Sequence, residues 1–125
     1  MALKVSGFSS AALEYKIVYF DNQNTPTAAI NENVTGTSGK WYSIEIDNKS
    51  GQPVYARLYD GLDAVLGTTA SHWSFMCKAQ SVERIEVPGG APFSTALNLW
   101  TTSGDDPKDN TAPASNGVIV TVVCS

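Results

Sequence analysis

The chain has 125 residues, of which 42% are hydrophobic and 16% charged, and its net charge is −4. This length predicts one domain whose core needs no metal or disulfide, and the low charged fraction is typical of a β protein. Eight scattered basic residues argue against an electrostatic grip on nucleic acid, and no apolar run is long enough to cross a bilayer.

The N-terminal segment, residues 1–13, is rich in Ser and Ala and carries one charge, Lys4. It predicts a flexible arm rather than a strand, with residues 14–125 as a single domain. Its lack of a continuous apolar core predicts no secretory signal, so the protein is either cytoplasmic or has already lost a signal, and the initial Met favours the first. A first strand is predicted at 14–20, and a weak edge strand with small side chains at 27–35.

A β-hairpin is predicted next, because two alternating patterns flank the polar turn Asn-Lys-Ser-Gly at 48–51. The predicted apolar face comprises Tyr42, Ile44, Ile46, Val54, Ala56 and Leu58. The opposite, outward face then carries Trp41, Ser43, Glu45, Asp47, Tyr55, Arg57 and Tyr59.

Short strands are also predicted at 73–78, 82–87, 93–102 and 117–124, with a long polar loop at 103–116. No segment has a convincing helical period. Seven or eight short strands separated by Gly, Pro and Asn predict an all-β fold, an antiparallel β-sandwich that is jelly-roll-like or a small barrel.

Residues that commonly carry chemistry form no catalytic pattern in this sequence. The only histidine, His72, is out of phase with Trp73 and should face solvent, with Asp60 and Asp63 as the nearest acids. The acidic loop residues Asp105, Asp106 and Asp109 lack calcium-loop spacing and are interrupted by Pro107 and Lys108. We therefore expect no enzyme, no catalytic residue, no cofactor and no metal site.

Two cysteines and two Asn-X-Ser/Thr motifs need a structural interpretation. Cys77 and Cys124 are each in phase with large apolar neighbours, so buried, reduced thiols are expected, while a disulfide remains open if their strands are adjacent. The glycosylation motifs at Asn33 and Asn48 are too common to indicate modification without a secretory route.

Four aromatic residues fall on the outward phase of their strands: Trp41, Tyr55, Tyr59 and Trp100. Such side chains can anchor a protein interface or stack on sugars. The alternative is that the second face of their sheet is covered by another part of the chain.

Four segments between residues 43 and 125, in this order along the chain, resemble small virion proteins of tailed bacteriophages, notably those of marine and cyanobacterial hosts. They are I-E-I-D-N-K-S-G-Q-P-V-Y-A-R-L-Y-D (44–60), L-G-T-T-A (66–70), I-E-V-P-G-G-A-P-F-S-T-A-L-N-L-W-T-T (85–102) and T-A-P-A-S-N-G-V-I-V-T-V-V (111–123). Residues 1–42 carry no part of the resemblance, and Cys77 within W-S-F-M-C departs from it.

The resemblance implies a non-enzymatic capsid decoration, or cement, protein that binds the major capsid protein and stabilises the shell. It implies a homo-oligomer, such as a trimer, on the capsid surface of a virion made in the host cytoplasm, with no nucleic-acid or membrane partner. The alternative is a carbohydrate- or receptor-binding module of a phage tail or fibre, in which Trp41, Tyr55 or Trp100 would stack on sugars.

Overall fold

A computed structural model describes residues 38–106, 108, 113 and 117–125 with their side chains, and residues 2–7 and 16–21 by their backbone. The predicted weak strand at 27–35 lies outside the described residues, as do Asn33, Pro107 and Asp109. The described residues contain no helix, and hence none long and apolar enough to span a membrane.

All described elements are strands that pair in antiparallel fashion, so the all-β prediction is confirmed. They are β1 (Ala2–Gly7), β2 (Lys16–Asp21), β3 (Gly39–Asn48), β4 (Val54–Asp60), β5 (Trp73–Cys77), β6 (Ser81–Phe93), β7 (Leu97–Thr102) and β8 (Val118–Cys124). Sheet A has the order β1-β2-β8-β3-β6, and sheet B the order β5-β4-β7. Six of these strands, three in each sheet, are described with side chains, and β1 and β2 by their backbone alone.

The hydrophobic core lies between the two sheets. Sheet A contributes alternate residues of β3 and β8, such as Ile44, Ile46 and Val120, and sheet B contributes Leu58 and Leu99. Each such aliphatic side chain stabilises the fold by roughly 1.5–3 kcal/mol when fully buried. The arrangement is consistent with a β-sandwich, and the predicted inward phase is confirmed for every aliphatic residue of the hairpin.

A β-bulge near the start of β3 reverses the predicted phase there. Trp41 pairs with Cys124 and Ser43 pairs with Val123, so Tyr42 is an extra residue relative to β8. Trp41 is therefore buried with Ile44, and Tyr42 is only half-buried. The predicted outward position of Trp41 and inward position of Tyr42 were both wrong, because strict alternation cannot anticipate an inserted residue.

The N-terminal segment also departs from the prediction of an arm. The backbone of Ala2–Gly7 forms β1, which pairs with β2 at the edge of sheet A. The local reason is a short alternation in which Leu3 and Val5 flank Lys4, a pattern that the Ser- and Ala-rich composition of the segment obscured. Residues 8–13 lie outside the described part.

The two cysteines are buried and form no disulfide. Cys77 on β5 lies near one end of β3, and Cys124 on β8 lies beside the other end. Cys124 pairs with Trp41, whereas the carbonyl of Cys77 accepts a hydrogen bond from the Asn48 side chain at 3.1 Å. Seven residues of strand separate these positions by about 20 Å, far beyond the reach of a disulfide. The disulfide alternative is therefore excluded in this fold, and burial raises the pKa of the Cys77 thiol.

Candidate interaction site

The connection between β4 and β5, residues 61–72, presents the most exposed apolar side chain among the described residues, Leu62, which is 61% exposed. Val65 in the same loop is 56% exposed, while Ala64 between them is buried. Single exposed apolar residues are ordinary on protein surfaces, but this loop carries two within four positions of the sequence. We call residues 61–72 the β4–β5 loop.

Hydrogen bonds fix the backbone that presents Val65. The amides of Thr68 and Thr69 both donate to the Val65 carbonyl, at 3.0 and 2.8 Å. The Val65 amide in turn donates to Oγ1 of Thr69 at 2.8 Å. Gly67 closes this turn at φ 83°, in the left-handed region where a side chain is strained. The loop is therefore preordered, which lowers the entropy lost when it binds a partner.

Tyr59 and His72 hold the two ends of the loop together. Their rings stack at 4.3 Å between centroids with an interplanar angle of 9°. The Asp60 amide donates to Nδ1 of His72 at 2.9 Å, which leaves the proton of the neutral imidazole on Nε2. The Tyr59 hydroxyl donates to the Asp63 carboxylate at 2.9 Å, and this bond raises the pKa of the Tyr59 phenol.

The Asp60 carboxylate joins the same loop to the β6–β7 connection. Its oxygens accept hydrogen bonds from the amides of Ser94, Thr95 and Ala96 and from the Ser94 hydroxyl. Partial burial acts to raise the pKa of Asp60, but these four bonds outweigh it and hold the pKa below its ordinary value. They also explain why the strand predicted at 93–102 is interrupted, because the amides of residues 94–96 turn toward the carboxylate.

Three of the four predicted aromatic candidates share the outer face of sheet B. Tyr55 and Tyr59 lie on β4, and Trp100 lies on β7 directly opposite Arg57. Tyr55 and Tyr59 are half-buried, whereas Trp100 is buried with 1% exposure, so its side chain does not lie at the surface of this face. The burial of Trp100 agrees with the alternative drawn from the sequence, in which another part of the chain covers this face.

Arg57 is the centre of that outer face and is itself buried. Its guanidinium donates to Oγ1 of Thr102, to Oγ of Ser74, and to the carbonyls of Gly104 and Asp106 at 2.6 and 3.0 Å. It also lies 5.0 Å from the centroid of the Tyr55 ring, within cation–π range. Arg57 therefore attaches the start of the polar loop to sheet B, and its position makes it a structural residue.

The fourth candidate, Trp41, faces the core and lies apart from the other three. It packs edge-on against Trp73 and Phe75, at 5.9 and 5.5 Å between centroids. Its Nε1 is the one buried side-chain nitrogen or oxygen without a hydrogen-bond partner in the described part of the chain. With 1% exposure, Trp41 cannot stack on a ligand at the surface without rearrangement of the core.

Arg57, Asp60 and His72 are thus engaged in holding loops. In these residues no group of three or more His, Cys, Asp or Glu side chains converges as a metal site would require. Asp106 accepts a hydrogen bond from the Lys108 amide at 2.9 Å, and Asp105 is exposed. What the arrangement provides is a rigid loop with apolar side chains, suited to binding another surface.

Comparison with known proteins gives no relative. The chain matches no protein family, no curated protein and no solved structure.

The β4–β5 loop was not identified from the sequence as a site, although Tyr59 was named as an interface candidate and His72 was correctly expected to be exposed. Val65 lies in a short apolar run, A-V-L at 64–66, that resembles core sequence, and Leu62 precedes this run by two positions. A usable signal was the position of this run between two glycines, Gly61 and Gly67, which favours a loop over a strand.

Proposed function

We propose that this protein is a non-enzymatic structural component of a tailed-phage virion, which decorates the capsid and stabilises it by binding the major capsid protein. The resemblance of the four segments between residues 44 and 123 to small virion proteins supports this proposal. So does the two-sheet architecture, and we propose that the complete domain is an antiparallel β-sandwich. In this role the protein would be made in the host cytoplasm and reside on the capsid surface as a homo-oligomer.

The observation that carries the proposal is the preordered β4–β5 loop with Leu62 and Val65 exposed at its surface. The loop follows Tyr59 and Asp60 and contains L-G-T-T-A at 66–70, and both stretches belong to the resemblance. We propose that Leu62 and Val65 insert into an apolar depression on the capsid surface. Burying both removes apolar area from water, and little loop entropy opposes it.

Stabilisation of a shell follows from repetition of a modest contact. A decoration protein that bridges neighbouring capsid subunits adds buried interface at junctions that internal pressure pulls apart. Each contact can be of ordinary size, because a protein attached at two points gains avidity from the second one. No catalytic group is needed for this role.

A sugar-binding role, the alternative drawn from the sequence, loses two of its stacking platforms in the structure. Trp41 and Trp100 are buried, and the half-exposed ring of Tyr55 lies against the Arg57 guanidinium. We therefore favour protein binding over carbohydrate binding.

Replacing Leu62 and Val65 together with Ser should weaken binding to capsids that lack the protein by about tenfold or more for each side chain, since 1.4 kcal/mol corresponds to a factor of ten. Binding would be measured by co-sedimentation of purified protein with particles of the encoding phage from which its gene has been deleted. Because both side chains are exposed, the melting temperature should change little.

The matched control is Met76→Thr, which removes another exposed apolar side chain, on β5 and away from the loop. This variant should bind as the wild type does. Unchanged binding by the Leu62/Val65 variant would contradict the assignment of this loop to the capsid contact.

A further inference from the structure

Among the described strands, β6 forms an edge of sheet A. In the part of the chain that the structure describes, β6 pairs with β3 on one side and no strand pairs with its other side. An open edge presents unpaired amides and carbonyls from alternate residues, which can hydrogen-bond with an added strand. The question is which strand the side chains of this edge would accept.

The first half of β6 alternates between the two faces of sheet A. Its outer face carries Val82, Arg84 and Glu86, because these residues pair with Asp47, Glu45 and Ser43 of β3. Val82 is 59% exposed, and the Arg84 guanidinium contacts the Glu86 carboxylate at 2.9 Å. On the core-facing side, Ile85 and Val87 are only partly buried.

We propose that β6 pairs with β6 of a second copy of this chain, antiparallel and across a two-fold axis at Ile85. In this register Arg84 lies opposite Glu86 of the second copy, and Glu86 lies opposite its Arg84. On the other face the two Ile85 side chains meet. Opposite charges and apolar pairs directly across a ladder stabilise it.

Two neighbouring registers also keep outer-face residues of one copy opposite outer-face residues of the other. Both of them place like charges directly opposite each other. A shift in one direction sets Arg84 opposite Arg84 of the second copy, and a shift in the other sets Glu86 opposite Glu86. Like charges directly opposite each other destabilise a strand pair. The charge pattern of β6 therefore selects one register, as expected of a self-complementary two-fold contact.

The second half of β6 limits the length of this contact. Pro88 has no amide hydrogen to donate, and Gly89 and Gly90 follow at φ 81° and 83°. Residues 87–90 also bulge out of the ladder opposite Tyr42, because Trp41 pairs with Ala91 and Ser43 pairs with Glu86. The paired segment is therefore short, and the dimer should be weak and dependent on concentration.

Charged residues on an edge strand more commonly serve to prevent pairing. Protection of the edge and selection of a paired register predict different results when the charges of Arg84 and Glu86 are exchanged. If the charges only protect the edge, exchanging Arg84 and Glu86 has no systematic effect on association. If they select the paired register, either single reversal breaks the contact and the exchange restores it.

Sedimentation equilibrium would measure association of the purified chain over roughly 10 µM to 1 mM, the range of weak interfaces. The wild type should form dimers, Arg84→Glu and Glu86→Arg should each weaken them at least tenfold, and the double variant Arg84→Glu/Glu86→Arg should dimerise as the wild type does. The double variant keeps the net charge of −4. The control Glu83→Arg changes the charge as Glu86→Arg does, but at a position opposite Val87, and should keep the dimer.

A monomeric wild type, a trimer, or a double variant as weak as the single variants would overturn the proposal. Arg84→Glu also removes the 3.7 Å contact with Glu45 and sets two carboxylates opposite each other, but because these side chains are about half exposed the loss of stability should be about 1 kcal/mol or less, and thermal unfolding of each variant checks this. The test uses no capsids, so its result is independent of the capsid-binding role proposed above.

Discussion

Replacing Arg57 with Met should lower the free energy of unfolding by about 3 kcal/mol, because it removes charge-assisted hydrogen bonds from a buried site. Met keeps much of the aliphatic volume but removes the hydrogen bonds that Arg57 donates to Oγ1 of Thr102 and to the carbonyls of Gly104 and Asp106. Arg57→Lys should be intermediate, since one ammonium cannot reproduce the fork of a guanidinium. Chemical denaturation monitored by tryptophan fluorescence would give the values.

The control for this prediction is Arg84→Met, which removes an exposed arginine that forms ion pairs with Glu45 and Glu86. Exposed ion pairs contribute roughly 0–1 kcal/mol, so this variant should remain close to the wild type in stability. Limited proteolysis supplies a local readout, because residues 103–106 should become more susceptible to cleavage in Arg57→Met than in Arg84→Met. Equal stability of the two variants would contradict the role given to Arg57.

Asn48→Asp should lower the free energy of unfolding by about 4 kcal/mol at neutral pH. The Asn48 side chain is buried, and its Nδ2 donates to the carbonyls of Gln52, Cys77 and Lys78 at 2.7, 3.1 and 3.0 Å. A carboxylate there would face three carbonyl oxygens with no proton to donate. Asn48→Ala should cost less, because it places no charge among these carbonyls.

The pH dependence separates the charge effect from lost packing. Burial among carbonyl oxygens raises the pKa of the introduced carboxyl in the folded state above its unfolded value of about 4. The folded state then binds the extra proton more tightly, so the deficit of Asn48→Asp relative to wild type should shrink as the pH falls from neutrality. Thermal unfolding across that range measures it. If the stability difference between Asn48→Asp and the wild type did not change with pH, the loss would be due to packing alone.

The same geometry predicts that Asn48 is a poor glycan acceptor despite the motif Asn48-Lys49-Ser50, because its side chain is buried. Oδ1 of Asn48 accepts hydrogen bonds from the amide and the hydroxyl of Ser50, at 3.0 and 2.7 Å. Both motif residues therefore serve to close the hairpin turn, in the manner of an Asx turn. The sequence pattern marks a structural feature here.

Alternation in the sequence predicted the all-β class and the inward phase of Ile44, Ile46, Val54, Ala56 and Leu58, because a period of two follows directly from strand geometry. Alternation failed at Tyr42, which is an extra residue in the strand. It also failed at residues 94–96, whose amides donate hydrogen bonds to the Asp60 carboxylate. Both events depend on contacts between residues distant in sequence. The outward phase of Trp100 was predicted, but its burial depends on what covers that face, which periodicity does not report.

The candidate site was predicted only in part, for a related reason. Tyr59 was identified by its aromatic ring and outward phase, and His72 by its phase relative to Trp73. The path of the β4–β5 loop determines the stacking of these two rings and the exposure of Leu62 and Val65. Hydrophobic residues in a loop cannot be recognised as surface residues from composition alone.

The proposal of capsid decoration is tested most directly by the number of copies of this protein in purified virions, measured by quantitative gel staining against the major capsid protein. A decoration role predicts hundreds of copies per particle, in a fixed ratio to capsid subunits, and their loss together with reduced particle stability when the gene is deleted. A number matching the few tail appendages, or absence from the particle, would contradict it.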